Sequence, residues 1–243
     1  MAFKRTYKPF GKQAILIEWN AVIHEDILKD ILFFKDQLLI KRKGVYTDII
    51  VGYHSLTIKL KAEVIDFYKE IEELKSIYTS KVKNPTQKKY IWEIPVCYDL
   101  KFGIDLEEMS NKSNLSVKEI IQLHSEKNYR VFFIGFLPGF LYLGGLDAKL
   151  HVARRLTPRL DVTKGTVAIG GAQTGIYPLD SPGGWNIIGK TPIQLFDPKK
   201  ENPCFAKAGD KIKFTSVSVE EFHQLEKEVI QNKDIISKTV LND

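Results

Sequence analysis

Glycine and proline are concentrated in one part of this chain. Eleven of the sixteen glycines lie between residues 135 and 190, and the stretch 173-QTGIYPLDSPGGWNIIGKTP-192 adds three prolines around Trp185. The apolar runs between them are short, as in 166-TVAIGG-171 and 186-NIIG-189. Short apolar runs separated by glycine and proline turns are typical of a β-sandwich or β-barrel and not of β-α-β units. The same turns predict a rigid loop around Trp185.

The first part of the chain has a different pattern, in which strand-like and helix-like segments alternate. The spacing of apolar residues predicts a strand at 13–19, a helix at 25–39, two strands within 44–60 and a helix at 63–78. This β-α-β-β-α order predicts a small ferredoxin-like α/β domain over residues 1–88. The strand expected at 90-YIWEIPV-96 either closes that layer or belongs to the next domain. Polar 79-TSKVKNPTQKK-89 is the candidate linker.

The sequence pattern of residues 89–243 predicts a β-rich domain that ends in a helix. A capping box of Ser116 with Glu119 marks the start of one helix, and Ser218 with Glu221 marks the start of the last. Strand-like runs lie between these two helix starts, at 131–146, 166–171, 186–189, 193–196 and 211–217.

Composition excludes several classes of function. The hydrophobic fraction is 44%, enough for a folded core, and no apolar run is long enough for a membrane helix. The N-terminus lacks the apolar region of a signal peptide, so we expect no membrane association. Cys97 and Cys204 have no zinc or redox spacing and fit a reducing cytoplasm. The net charge of +6 comes from lysines interleaved with acids, without a nucleic-acid-binding signature.

The arginines are more informative than the lysines. Three of the six, Arg154, Arg155 and Arg159, fall within six residues. A guanidinium pairs bidentately with carboxylate or phosphate, so the cluster predicts an anion site. A solvated basic loop with ordinary ion pairs explains the pattern equally well. Pro158 favours the first interpretation because it stiffens the loop.

Two further features are ambiguous from the residues alone. His124 shares a helix face with Ile120 and Ile121, which is typical of a core histidine, although a pocket histidine there could carry a proton. The loop around Trp185 has turn chemistry, and its Gly183 and Gly184 are available for positive φ. No nucleophile–base pair, metalloprotease motif or phosphate-binding loop is present in the sequence.

The segments 135-GFLPGFLYLGGL-146, 154-RRLTPR-159, 165-GTVAIGGAQTGIYP-178 and 181-SPGGWNIIGKTPIQLFDP-198 resemble the family of 5-oxoprolinase B subunits. This family, also labelled allophanate hydrolase subunit 1, includes a sporulation-kinase inhibitor. The resemblance implies an α+β protein with a small α/β N-terminal domain and a cyclophilin-like β-barrel domain. Ala153 replaces a proline that is frequent in the family, which loosens the arginine loop.

The resemblance also implies an activity and partners. The B subunit acts with the A and C subunits in the ATP-dependent opening of 5-oxo-L-proline to L-glutamate, and the C subunit is its stable partner. The family's alternative role is inhibition of a histidine kinase, without chemistry. Carboxyl transfer on urea is a third role, but this chain lacks the fused biotin-dependent domains.

On this basis we assign candidate roles to the motif residues. His124, Arg155 and Arg159 are the candidate catalytic residues. The candidate substrate-binding residues are Arg154, Gln173, Tyr177, Asp180, Gly183, Gly184 and Trp185. We expect ATP at a site shared with a partner protein, and no metal ion, nucleic acid or membrane.

Overall fold

The computed structural model describes residues 3–64, 66–80, 88–233 and 235–241. The chain divides into two compact units, Met1–Gln87 and Lys88–Asp243. Most of the predicted linker, residues 81–87, lies outside the described residues.

The first unit is a four-stranded antiparallel sheet with two helices. Its elements are β1 (Thr6–Pro9), β2 (Ala14–Glu18), α1 (Glu25–Lys41), β3 (Tyr46–Val51), β4 (Ser55–Leu60) and α2 (Phe67–Thr79). The strand order is β1-β2-β4-β3, with β4 antiparallel to both β2 and β3. The predicted β-α-β-β-α order is present. The fourth strand is β1, which the sequence pattern did not predict because its residues are mostly exposed.

The second unit contains most of the strands. Its elements are β5 (Tyr90–Val96), α3 (Leu106–Ser113), α4 (Val117–Ser125), β6 (Asn128–Ile134), β7 (Leu141–Gly144), a 3₁₀ turn (Ala148–Leu150), β8 (Arg159–Val162), β9 (Thr166–Gly170), β10 (Gln173–Ile176), β11 (Ser181–Gly183), β12 (Asn186–Lys190), β13 (Lys211–Ser216), α5 (Val219–Ile230) and β14 (Ser237–Val240). Strand β5 pairs with β13 in this unit, which settles where the predicted strand at 90–96 belongs.

The strands of the second unit form one large sheet and one small ribbon. Eight strands follow the order β12-β9-β10-β7-β6-β13-β5-β14, and within the described residues β8 pairs only with β11. The large sheet is open in the part of the chain that the structure describes, so the expected closed barrel is not present as regular pairing. One isolated bridge, between Cys97 and Lys190, joins the end of β5 to β12. The apolar core of this unit includes Tyr129 of β6, Phe214 of β13 and Ile169 of β9.

Local signals explain which elements the sequence predicted. The two capping boxes are formed, and they begin α4 and α5 as expected. The predicted strand at 193–196 is wrong, since only Phe196 bridges there, to Cys204. Helix α3 was not predicted because it is short and buries only Leu106 and Met109. No described helix combines the length and apolar character needed to cross a bilayer.

Candidate functional site

A cleft of about 350 Å³ opens on the second unit where three glycine- and proline-rich segments meet. It is lined by Phe136, Phe140, Tyr142, Arg154, Arg155, Pro158, Tyr177, Pro182, Gly183, Gly184 and Trp185. Its volume falls within the range of roughly 300–1,000 Å³ that small-molecule sites occupy. Five of the predicted substrate-binding residues therefore line one cleft, together with Arg155.

Aromatic rings form the buried floor of the cleft. Phe140 is buried and lies edge-on to Trp185 at 5.6 Å and to Tyr177 at 5.7 Å between ring centroids. Gly170 makes room for the indole, because a Cβ there would lie 2.6 Å from the ring of Trp185. Burial raises the pKa of Tyr177, so its hydroxyl stays protonated at neutral pH and can donate a hydrogen bond.

The glycines of the loop around Trp185 serve packing and not unusual backbone angles. Neither Gly183 nor Gly184 uses the positive φ that is open to glycine. Gly183 belongs to β11, and a Cβ there would lie 2.3 Å from the hydroxyl oxygen of Tyr177. Gly184 is less crowded, and its carbonyl accepts a hydrogen bond of 2.7 Å from the backbone N–H of Arg155. The two glycines therefore bring the arginine segment and the aromatic floor together.

Arg154 is a cation of the cleft for which the described part of the chain shows no ion pair. Its guanidinium carbon lies 5.6 Å from the ring centroid of Trp185, within the range of a cation–π contact. Among the described residues it has no carboxylate partner, and its side chain is exposed. An exposed guanidinium beside an apolar floor can bind an incoming carboxylate without first breaking an ion pair.

Arg155 and Arg159 are already paired, chiefly with a buried carboxylate. Asp105 is 2% exposed, and its Oδ1 accepts hydrogen bonds from Arg155 at 3.1 Å and from Arg159 at 2.5 Å. Its Oδ2 accepts a bond of 2.7 Å from the backbone N–H of Ile187. Arg155 also donates to Glu108 at 2.8 Å. These two arginines therefore hold the loop in place, and Arg159 does not line the cleft.

Sequence reasoning missed Asp105 and Glu108. Asp105 precedes α3, where an aspartate normally caps the helix, but its side chain makes no capping bond and turns to the arginines instead. Lys112 and Arg155 hydrogen-bond to Glu108 and lower its pKa to about 2. The only available signal was indirect, because a tight cluster of arginines needs acids from elsewhere in the chain.

His124 lies in the core and not at the cleft. It is fully buried, stacks on Phe214 at 4.6 Å, and bonds through its two ring nitrogens to Tyr98 at 2.7 Å and to Thr174 at 2.8 Å. Desolvation lowers its pKa to about 3, so the ring stays neutral at physiological pH. The structure gives it a packing role in place of the expected proton transfer.

Two other predicted residues lie outside the cleft. Asp180 is exposed and accepts a hydrogen bond of 2.6 Å from the backbone N–H of Lys164, which fixes the turn before β9. Gln173 begins β10, and its Oε1 is buried without a hydrogen-bond partner among the described residues. Neither side chain lines the cleft.

The sequence of this chain has clear relatives. Residues 5–206 match the carboxyltransferase domain family, subdomain C and D. The B subunit of 5-oxoprolinase from Haemophilus influenzae is 42% identical over 173 residues, which cover 71% of this chain and 80% of that protein. The chain belongs to the 5-oxoprolinase B-subunit family. The predicted family resemblance is thus confirmed.

Another member of the 5-oxoprolinase B-subunit family and a solved structure extend the comparison. The Bacillus subtilis protein of the same name is 44% identical over 138 residues, which cover 57% of this chain and 58% of that protein's length. Urea carboxylase of Kluyveromyces lactis aligns with a TM-score of 0.81 over 99% of this chain and 24% of that one. At 17% identity this second match shows a shared fold. The segment that matches the carboxyltransferase family includes every residue that lines the cleft.

Proposed function

We propose that the chain is the B subunit of an ATP-dependent 5-oxoprolinase, which opens 5-oxo-L-proline to L-glutamate together with the A and C subunits. The observation that carries this proposal is the cleft, in which Arg154, without a carboxylate partner among the described residues, lies over Trp185, whose ring packs against Phe140. Relatives that are named as B subunits of 5-oxoprolinase support the same reaction.

The chemical groups of 5-oxoproline match the cleft one by one. The substrate has a carboxylate, a small ring with apolar methylene groups and a lactam carbonyl. Arg154 would bind the carboxylate, and the aromatic floor would pack against the ring. Tyr177 is protonated at neutral pH, burial raises its pKa further, and its hydroxyl would donate to the lactam oxygen. Apolar walls with a few convergent polar groups are typical of small-molecule sites.

The reaction needs activation that this chain does not supply alone. A lactam is a poor electrophile, so we propose that the γ-phosphoryl group of ATP is transferred to the lactam oxygen and ADP leaves. Water then adds to the activated lactam carbon and the carbon–nitrogen bond breaks, with the nitrogen leaving as the free amine, to give γ-glutamyl phosphate. A second water hydrolyses this acyl phosphate to glutamate and phosphate. A triphosphate requires several positive charges. Of the two arginines that line the cleft, Arg155 is already neutralised by Asp105 and Glu108, so the ATP site is best shared with a partner protein.

The finer fold assignment is part of this proposal. We propose that the second unit is a cyclophilin-like barrel whose seam lies at the bridge between Cys97 and Lys190. Two backbone hydrogen bonds of 2.8 and 3.0 Å join these residues there. The cleft lies beside the β8–β11 ribbon, since Gly183 of β11 lines it, and this ribbon is separate from the eight-stranded sheet.

We favour the enzyme over the histidine-kinase inhibitor because of the cleft. A site of about 350 Å³ with an unpaired arginine suits a small anion. An inhibitor that only docks onto a protein would not require this arrangement. Inhibition of a kinase stays a prediction from the family resemblance.

Reconstitution with the A and C subunits tests the proposal. ADP release that depends on 5-oxo-L-proline is measured for wild type, Arg154→Ala and Arg154→Lys, with Lys199→Ala as an exposed control outside the cleft. Loss of a charge-assisted hydrogen bond costs about 1.5–3 kcal/mol, so Arg154→Ala should lower kcat/KM by roughly 10- to 150-fold. Arg154→Lys should retain part of the activity. Unchanged kcat/KM in Arg154→Ala would refute this substrate site.

A further inference from the structure

Phe136 has a backbone conformation that is unusual for its side chain. Its φ is +66°, in the left-handed region. Among the described residues, Asn114 and Asn232 are the other non-glycine residues with positive φ, and asparagine tolerates this region well. Both asparagines lie at the ends of helices, where left-handed residues are common. Neither explanation applies to Phe136, because it is aromatic and lies in the loop between β6 and β7.

The position of the ring does not offset this strain. Phe136 is 69% exposed, so the ring gains little from burial. Its ring contact is edge-on to Phe140, at 5.8 Å between centroids and an interplanar angle of 89°. A glycine at position 136 would adopt positive φ without strain. The same loop already contains two glycines, Gly135 and Gly139.

The ring lies where a bound molecule would meet it. Phe136 lines the same cleft as Arg154 and Trp185, and it is the exposed member of the aromatic group whose buried centre is Phe140. A strained residue at the mouth of a binding cleft is a common sign of a functional side chain.

We propose that Phe136 is a specificity-determining residue that packs against the apolar ring of a small cyclic carboxylate held by Arg154. The identity of that carboxylate as 5-oxoproline rests on the proposed function, whereas the preference for a ring does not. Phe136 and the aromatic floor around Trp185 both line the cleft, so both would contact the ring. Acyclic carboxylates would then bind through Arg154 alone.

Calorimetric binding to the full chain tests this role with three probes. These are 5-oxo-L-proline, cyclopentanecarboxylate, which keeps the ring and carboxylate without the lactam, and acetate, which lacks the ring. Wild type should bind both cyclic probes more tightly than acetate. Phe136→Gly should weaken both cyclic probes by roughly three- to tenfold and leave acetate unchanged. Ile230→Ala removes another exposed apolar side chain, one outside the cleft, and should change nothing.

Thermal unfolding separates this role from a structural one. Because glycine relieves the strain, Phe136→Gly should melt within about 2 °C of wild type or above it. A fall of more than about 5 °C would mean that the ring packs as a core residue, and would overturn the proposal. Wild type without a preference for rings, or Phe136→Gly with the preference intact, would also overturn it. If cyclopentanecarboxylate shows the predicted difference but reconstituted ring opening fails, the role of Phe136 stands and the proposed function falls.

Discussion

Replacement of Asp105 by asparagine tests the electrostatic account of the arginine loop. Asp105 is 2% exposed and accepts three hydrogen bonds, from Arg155, Arg159 and the backbone of Ile187. Asparagine keeps the size and one acceptor oxygen but removes the charge. Arg155 would retain Glu108, whereas Arg159 would lose its only carboxylate partner among the described residues.

The magnitude follows from how buried these groups are. Breaking a fully buried ion pair from one side costs about 3–5 kcal/mol, because the remaining charge is left without a partner. The side chains of Arg155 and Arg159 are 29% and 26% exposed, so water can solvate them in part. We therefore expect Asp105→Asn to lower the free energy of unfolding by about 3 kcal/mol, at the lower end of that range.

Urea unfolding at neutral pH measures this loss, with tryptophan fluorescence as the probe. A matched variant, Glu108→Gln, removes an exposed partner of Arg155 and should cost much less. Adding Arg159→Met to Asp105→Asn should recover part of the loss, since it removes the stranded cation. An unfolding midpoint for Asp105→Asn equal to that of wild type would refute the reasoning, as would an equal loss in Glu108→Gln.

Three further predictions concern pH and packing. Because the folded-state pKa of Glu108 is lowered from 4.5 to about 2, this carboxylate stabilises the folded state above pH 4.5 and loses that effect toward pH 2. Glu108→Gln should therefore weaken the pH dependence of the urea midpoint between pH 4.5 and pH 2. An unchanged profile would contradict this. The folded-state pKa of His124 is lowered from 6.5 to about 3, so NMR should show a neutral ring down to pH 5. Below pH 6.5 the unfolded state binds a proton at His124 that the folded state does not, so the free energy of unfolding should fall. A ring that titrates near pH 6.5 would contradict this. Gly183→Ala should lower the free energy of unfolding in urea by about 1–3 kcal/mol, because the new Cβ would meet the buried hydroxyl of Tyr177. Gly184→Ala should change it by no more than about 0.5 kcal/mol, because the atom nearest to its new Cβ lies at 3.5 Å. Equal effects of the two substitutions would contradict the packing argument.

The sequence was sufficient where local chemistry decides the structure. Capping boxes placed the starts of α4 and α5, because Ser116 and Ser218 each bond to the backbone of a residue three positions later. The family motifs brought Arg154, Tyr177 and Trp185 together in one cleft, because glycine and proline punctuate the segments that carry them. Local patterns were also enough to show a mixed α and β fold.

The rest depends on contacts between residues distant in sequence. Arg155 and Arg154 are neighbours and look alike in the sequence, yet only Arg155 meets Asp105, fifty residues away. The sequence could not reveal the core environment of His124 for a similar reason, because its partners Tyr98 and Thr174 lie 26 and 50 residues away. Short strands such as β11 carry no periodic signal and form only because a partner strand is near.

Formation of L-glutamate is the most direct test of the central claim. Purified A and C subunits are mixed with 5-oxo-L-proline and ATP, with and without this chain, and glutamate is quantified by chromatography. We expect ATP-dependent glutamate when the chain is present and none when it is left out. No glutamate from the complete mixture, or the same amount without this chain, would contradict its assignment as the B subunit of a 5-oxoprolinase.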